Sequence, residues 1–501
     1  MPKQKIRPYP FFGYIPEINI MKDKLEPILN IEPIIKSKQD NTITNLLKEF
    51  PDTTICLTDK NLGFAALYTT HYKELVYSHL KNPKTYHSCN QTIESITNLV
   101  IKRLKSLKNH YNRFLNPSEK LFITKQLPIK TNFPKFKGMP KVHKKGKLNI
   151  RPIVTSFNWY TRPIALILNE RIKRLTTKTL PYVLKSADQL ISLLPITLKP
   201  TEILVTIDIT AMYPSINRIK LLEALQIYYP TDKLLPILLE FILNNSYCEF
   251  NNETYLQIQG IPMGDNASVC LANLFCSVYL DQVINNCKQI TQYHRYIDDI
   301  FIIWNGTKND LLPYIKIWNL LSSLTLELVD VSRTTINYLD ITIYKEEYTN
   351  KIQTSLFHKP ISKFNYLSPS SCHPPHILSG WIYAEILRHF RLNTNPTIRY
   401  LKLNEFKKKL LTRGYKYRFL DPIFKKALTK HFNPTTKPKT NPKKLILPFI
   451  LPYYPDQRSC LIFKTIKSSL KQITSHYLPQ HRPILVHSVL PNISSSINRQ
   501  P

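Results

Sequence analysis

The run RYIDDIFIIW, Arg295–Trp304, sets Asp298 and Asp299 side by side in the middle of an apolar segment. A run this greasy belongs in a core. Yet an unpaired carboxylate is costly to move into an apolar interior, and two adjacent ones repel. Something must compensate. A solvent-exposed hairpin turn would do so, since Asp is a common turn residue. A bound divalent cation would also do so, since hard cations prefer carboxylate oxygens. For a lone pair of aspartates the turn is the ordinary answer, so the rest of the chain has to decide.

A third acid stands in a comparable setting. TEILVTIDIT, Thr201–Thr210, reads as an apolar strand that reaches Asp208. If that strand and the hairpin share an antiparallel sheet, the three carboxylates project from one edge. There they could hold two Mg²⁺ ions ~3.5–4 Å apart, the arrangement that clamps the attacking and leaving oxygens of phosphoryl transfer. Tyr213 follows five residues after Asp208; its ring could lie beneath the sugar of a nucleotide and exclude a 2′-hydroxyl, or it could be a core tyrosine. The chain has only 9 Gly, so the loop Gln259-Gly260-Ile261-Pro262-Met263-Gly264 is notable. It offers backbone that could approach a base pair, or it is an ordinary strand–helix turn. Lys141 and Arg151 flank a basic turn at Lys144, Lys145, Gly146 and Lys147, as donors to a triphosphate would. The three turn lysines read individually as surface charge.

Charge points the same way. The 501 residues carry a net charge of +35, with 43% hydrophobic and 11% aromatic residues. That supports a substantial core in roughly two to four domains, and a polyanion partner, nucleic acid ahead of an anionic membrane. Residues 101–180 hold 20 Lys+Arg against 2 Asp+Glu, and residues 401–501 hold 20 against 3. Two basic regions flank a neutral middle, as walls around a polyanion would, which makes steep salt dependence of binding an expectation. None of the 8 Cys is in a C-x-x-C arrangement, which argues against a zinc ribbon. Their scatter suits reduced thiols in an intracellular protein. The N-terminus lacks a signal-peptide core, and LILPFILPYY, broken by Pro448 and Pro452, falls short of a membrane span. No membrane partner is expected.

Along the chain, ICLTDKNLGFAALY reads as two strands around a turn at Lys60–Gly63, and Thr92–Leu115 as an amphipathic helix with a basic face. Phe136–Leu175 reads as strand, basic turn, strand and helix. The glycine loop leads to a long helix with Asn266 as N-cap, and LTLELVDVSRTTINYLDITIYK to two further strands. Gly380–Leu392 is helical, residues 428–444 a Pro-, Thr- and Lys-rich linker, and Ser494–Pro501 a disordered tail.

The order of these parts is distinctive: GMPKVHK, IRPIVTS, TIDITAMYPSI, QIQGIPMGDNASVCLANLF, RYIDDIFIIW and INYLDITIY. It resembles a reverse transcriptase, and the spellings resemble the telomerase-related Penelope-like retroelements. LTDKNLGFAALYTTHY upstream and SLFHKPISKFNYLSPSSCHPPHILSGWIYAEILRHFRL downstream extend the likeness to about Ile55–Leu392. The resemblance implies an α+β right-hand polymerase with fingers, an antiparallel-sheet palm and a helical thumb. It implies RNA-directed DNA synthesis with two Mg²⁺ ions, Mn²⁺ being an alternative. The metal acids fall on Asp208 and Asp298, with Asp299 beside them. The nucleotide gate falls on Tyr213, the contacts of the glycine loop on Gln259 and Gly260, and the triphosphate donors on Lys141 and Arg151. Asp340, in the stretch like the last palm strand, takes a structural role. The implied partners are an RNA template, a DNA primer or chromosomal 3′-end, and dNTPs.

The expected layout is an N-terminal extension (1–110), fingers (111–200), palm (201–345), thumb (346–430) and a basic C-terminal region (431–501), partly linker. Many family members carry a GIY-YIG endonuclease after the polymerase, and the stretch up to Pro501 has no room for one. The expectation is an endonuclease-lacking type, associated with chromosome ends, or a truncated gene. Nuclear localisation follows from the need for chromosomal DNA. Two rivals stand beside this reading. A catalytically idle nucleic-acid-binding relic would have lost an acid or the glycine loop, and both are present. An RNA-dependent RNA polymerase would share the acids but not a bulky Tyr213.

Overall fold

The computed structural model describes residues 49–126, 132–142, 146, 148–176, 180–362, 364, 366–371, 373, 375–432, 445–452, 457–477 and 480–488. Lys144, Lys145 and Lys147, residues 433–444 of the expected linker and the tail Ser494–Pro501 lie outside them. Two compact units divide the chain: one holds Asp52–Lys363 and Arg391–Arg399, the other Phe364–Phe390 and Tyr400–Asn498.

The larger unit opens with a hairpin, β1 (Thr53–Leu57) and β2 (Phe64–Tyr68), around the expected turn. Helix Thr69–Leu80 and strand β3 (Tyr86–Cys89) follow. Thr92 caps helix Ile93–His110 by accepting the Ser95 N–H, and Ile96, Val100, Leu104 and Leu107 line its buried face. Strands β4 (Lys135–Pro140) and β5 (Ile150–Thr155) pair on either side of the basic turn, before helix Arg162–Thr176. Then come β6 (Glu202–Thr210), β7 (Tyr247–Phe250), β8 (Glu253–Gln257), β9 (Ile290–Tyr296), β10 (Asp299–Asn305), β11 (Thr325–Ser332), β12 (Thr335–Tyr338), β13 (Ile341–Lys345) and β14 (Ile352–Leu356). The stretch read as two strands, Leu324–Lys345, forms three, because Leu339 adopts a left-handed φ of 53° and folds β12 back on β13.

Three sheets matter for the site: β3-β8-β7-β4-β5, β11-β6-β10-β9 and β12-β13-β14. The four-stranded sheet is buried on both faces. Alternate residues of a strand point to opposite faces, and here each face meets its own core. Ile203, Val205, Ile207 and Ile209 of β6 join Ile300, Ile302 and Trp304 of β10 in one. Leu204, Phe301 and Ile303 join Ile336, Tyr338 and Ile341 in the other. Both strands are therefore apolar at nearly every position, and polar residues are left to the sheet's end, where Asp208 and Asp299 stand.

The glycine loop ends in helix Ser268–Cys276, and its start departs from expectation. Asn266 is not the cap; Asp265 Oδ1 accepts the Ala267 N–H at 2.9 Å. The long helix is also interrupted, by a π-helical turn at Ser277–Asp281 before Gln282–Asn285.

In the smaller unit, Ile382, Ile386, Leu403, Phe406, Leu410, Leu420 and Phe424 form a core shared by helices Pro375–Leu392, Pro396–Thr412 and Tyr417–Phe432. Residues 428–432 of the expected linker continue the last of these. Beyond it, β15 (Leu445–Pro452) and β16 (His481–Ser488) pair in parallel, joined across helix Gln457–Tyr477. A parallel pair needs such a crossover. No helix among the described residues is long and apolar enough to cross a membrane.

Candidate active site

Three acids meet at the end of the four-stranded sheet. Asp299, the first residue of β10, lies directly opposite Asp208 of β6. Cross-strand partners share a face, so these two carboxylates lie on the same side. Asp298 occupies the two-residue turn between β9 and β10, and its carbonyl accepts the Ile209 N–H at 3.0 Å. Ile297, the other turn residue, takes a φ of 57°. Left-handed backbone is strained for a β-branched residue, so the surroundings must impose it. Glu327 of β11, which no sequence motif marks, pairs with Asp208 from the other side and extends the acidic row to three strands.

Arg295 imposes that turn. It is fully buried with Asp281, at 0% and 1% side-chain exposure. Its Nε and Nη2 donate to the two Asp281 oxygens at 2.8 Å each. Nη1 donates to the Ile297 carbonyl and to Asn273 Oδ1, both at 2.9 Å. Tyr293 Oη and Ser277 Oγ complete the Asp281 shell at 2.6 and 3.1 Å. The π-helical turn presents Asp281, which helical periodicity alone would not have placed there. The main chain of Arg295 is fixed as well, through its N–H to Tyr182 and its carbonyl from Leu184.

The electrostatics match a cation site. Burial pushes the Asp299 carboxyl up to about 6, and the charges of Asp298 and Asp208 push in the same direction, while Lys359 and Lys60 pull it down. A divalent cation among these oxygens would relieve that repulsion, so the donor set fits one. Among the described residues, no group of three or more acids, histidines and cysteines is already drawn together to hold a metal. Because Asp299 titrates above the ordinary carboxylate value of 3.8, its ionisation costs the folded state. The cost grows as pH rises from about 4 to about 6 and is full above it. Asp299→Asn should therefore stabilise the metal-free protein by ~1–3 kcal/mol at pH 8 and by little at pH 4. Urea melts at the two pH values check this.

Tyr213 follows a sharp turn at Ala211, whose φ is 49°. It is half-buried. Burial and then the Asp298 charge raise its hydroxyl to about 12, with Arg151 opposing. The turn thus brings Tyr213 into the field of both Asp298 and Arg151. Arg151 itself, on β5, pairs with the buried Asp59 at 3.0 Å. Lys141 lies just past β4, its N–H bonded to Asn149. The Asp340 carbonyl accepts the Phe357 N–H at 2.9 Å, a structural bond.

The glycine loop packs against the Tyr213 segment. Ile261 N–H donates to the Tyr213 carbonyl at 3.0 Å. Gly260 has φ +68°, and a Cβ there would sit 2.5 Å from Pro214 Cα. The close backbone approach at Gly260 is thus to Tyr213–Pro214. Gln259 Nε2 reaches the Ile216 carbonyl at 3.5 Å. Arg218 donates to the carbonyls of Gly260, Gln257 and Leu243, a brace that no sequence motif marks. Gly260→Ala combines strain with overpacking and should cost ~3 kcal/mol or more, measurable by denaturant unfolding.

Residues 142–335 match the family described as reverse transcriptase (RNA-dependent DNA polymerase), and residues 365–425 match the animal helix-turn-helix domain. A search of curated proteins finds no match. The structure of telomerase from Candida albicans with a TWJ fragment of telomeric RNA superposes with a TM-score of 0.51 at 12% identity, over 89% of this chain and 77% of that one. Telomerase from Candida tropicalis gives 0.42 at 12%, over 95% and 78%. The RNA-dependent RNA polymerase of a human picobirnavirus gives 0.39 at 11%, over 77% and 81%. The α+β architecture is that of a right-hand polymerase, as expected from the sequence. Residues 142–335 thus carry the likeness to the reverse transcriptase family.

Proposed function

We propose that the chain is an RNA-directed DNA polymerase of a Penelope-like retroelement, extending a primer 3′-hydroxyl with dNTPs on an RNA template. One observation carries this reading: Asp208 and Asp299 stand in register at the end of a doubly buried sheet, with Asp298 in the adjoining turn. Asp208, Asp298 and Asp299 would hold two Mg²⁺ ions, which when bound supply positive charge to the 3′-hydroxyl and to the leaving pyrophosphate. Tyr213 would lie under the nucleotide sugar, and Arg151 with Lys141 would take the triphosphate. Gln259 and Gly260 would border the nascent pair. The RNA bound by the telomerase neighbour supports an RNA template, and the net charge of +35 supports a polyanion between basic surfaces. A chromosomal DNA substrate would call for work in the nucleus.

The test is primer extension on RNA with dNTPs and Mg²⁺. Absence of extension by folded, RNA-binding protein would favour an idle binding relic. Tyr213→Ala should relax sugar selection, raising ribonucleotide incorporation relative to dNTPs by about 10- to 100-fold, since losing one steric contact is worth ~1–3 kcal/mol. Competition between the two nucleotide types reads this directly.

A further inference from the structure

The polymerase reading assigns no role to the N-terminal hairpin of β1 and β2. Yet the hairpin is fastened to the strands that carry the expected triphosphate donors. Cys56 of β1 is buried in one core with Phe136 of β4 and with Ile150 and Val154 of β5. Tyr72, just beyond the hairpin, lies in the same core, and its Oη accepts the Gly138 N–H of β4 at 3.1 Å. The turn at the tip is fixed as well. Thr58 donates to the Gly63 carbonyl through its N–H, at 3.0 Å, and its Oγ1, at 2.8 Å. Asp59 Oδ1 accepts the Lys60 N–H at 3.0 Å. Asp59 thus sits on a rigid mount, its side chain 7% exposed, and pairs with Arg151 Nε at 3.0 Å.

This pair differs in kind from Arg295 and Asp281. Asp281 gives both its oxygens to Arg295, each at 2.8 Å, and both side chains are closed to solvent. That pair is architecture. Asp59 meets Arg151 through Oδ1, while the Arg151 side chain stays 43% exposed. The contact is an ion pair without hydrogen-bond alignment: Arg151 Nε and Asp59 Oδ2 are buried and have no hydrogen-bond partner. Buried polar atoms left in this state are rare and call for an explanation. A carboxylate is also costly to bury for so loose a contact. What the contact does is hold the inner nitrogen of a half-exposed guanidinium, which leaves Nη1 and Nη2 for a second anion. Those two nitrogens form the fork that grips phosphate.

The strand of Arg151 is tied to the site by main-chain hydrogen bonds. Val154, three residues along β5, donates its N–H to the Met263 carbonyl of the glycine loop at 2.9 Å. Within that loop, Ile261 N–H donates to the carbonyl of Tyr213, the expected sugar contact, at 3.0 Å. We propose that Asp59 is a positioning residue for the incoming nucleotide: it holds Arg151 by Nε so that Nη1 and Nη2 are presented to the triphosphate. This deepens the polymerase reading and rests on it. It also makes the N-terminal hairpin a part of the nucleotide site.

The test uses the full chain with Asp59→Asn, Asp59→Glu, Arg151→Ala and the double variant Asp59→Asn, Arg151→Ala. Asparagine keeps the size of the side chain and removes its charge, and urea melts check that each variant folds. In single-nucleotide insertion on a primed RNA, Asp59→Asn should raise KM for the dNTP about 10-fold, the lower end of the worth of a charged hydrogen bond. The effect should fall on KM rather than kcat, and Asp59→Glu should restore part of it. In the Arg151→Ala background Asp59→Asn should add nothing, because the residue acts only through Arg151. In parallel, calorimetry with inorganic tripolyphosphate and Mg²⁺, without nucleic acid, should show binding that Arg151→Ala abolishes and Asp59→Asn weakens. If wild type extends no primer yet this binding pattern holds, the polymerase reading fails and the positioning role stands. Wild type that neither extends a primer nor binds tripolyphosphate overturns both. Unchanged KM and unchanged tripolyphosphate binding in Asp59→Asn overturn the role. So does an equal further loss in the Arg151→Ala background, which would make Asp59 a structural residue of the hairpin.

Discussion

Asp298→Ala should reduce dNTP incorporation on a primed RNA template by at least ~10³-fold and leave the protein folded. The magnitude follows from chemistry. Cation charge at a phosphoryl centre supplies several kcal/mol of transition-state stabilisation, and each 1.36 kcal/mol is tenfold in rate. The selectivity follows from structure. Asp298 contributes to the fold through its main-chain carbonyl, which accepts the Ile209 N–H, and alanine keeps that carbonyl. Its side chain adds to the repulsion at Asp299, so the variant should melt no earlier than wild type at pH 8. Single-turnover extension and urea melts measured together separate the two effects. Activity within tenfold of wild type would remove these acids from the chemistry.

Arg295→Met should destabilise the larger unit by ~3–5 kcal/mol, because it leaves the Asp281 carboxylate buried without its counter-charge. The double variant Arg295→Met, Asp281→Leu should lose less than the single one, since replacing a whole buried pair with apolar side chains is often close to neutral. It should still lose polymerase activity, because the Ile297 carbonyl then loses the guanidinium that holds the strained turn presenting Asp298. Denaturant unfolding of the two variants and wild type provides the comparison. A single-variant loss under ~1 kcal/mol would mean that the pair does not hold the hairpin.

Much of this architecture was legible because it is written in runs of apolar residues. Ile203–Val205 and Ile300–Trp304 lack the polar alternation of a half-exposed strand, and the two cores on either face of the sheet explain why. The acids were legible because they interrupt those runs. Other features depended on encounters between distant segments. Glu327 belongs to the acidic row only through its register with Asp208. Asp281 faces Arg295 because the helix widens at Ser277–Asp281, and residue spacing assumes 3.6 per turn. Asn266 looks like a sound cap by residue type, but the helix starts one residue later, with Ala267 at the cap position and no side-chain cap.

The double anchoring of Arg295, by main chain and by side chain, has a consequence for motion. A hairpin tied at both its backbone and its tip cannot swing as a lid, so the acids form a stationary platform. In hydrogen-exchange measurements, the amides of Ile209 and Arg295 should be among the slowest in the chain, opening only with global unfolding.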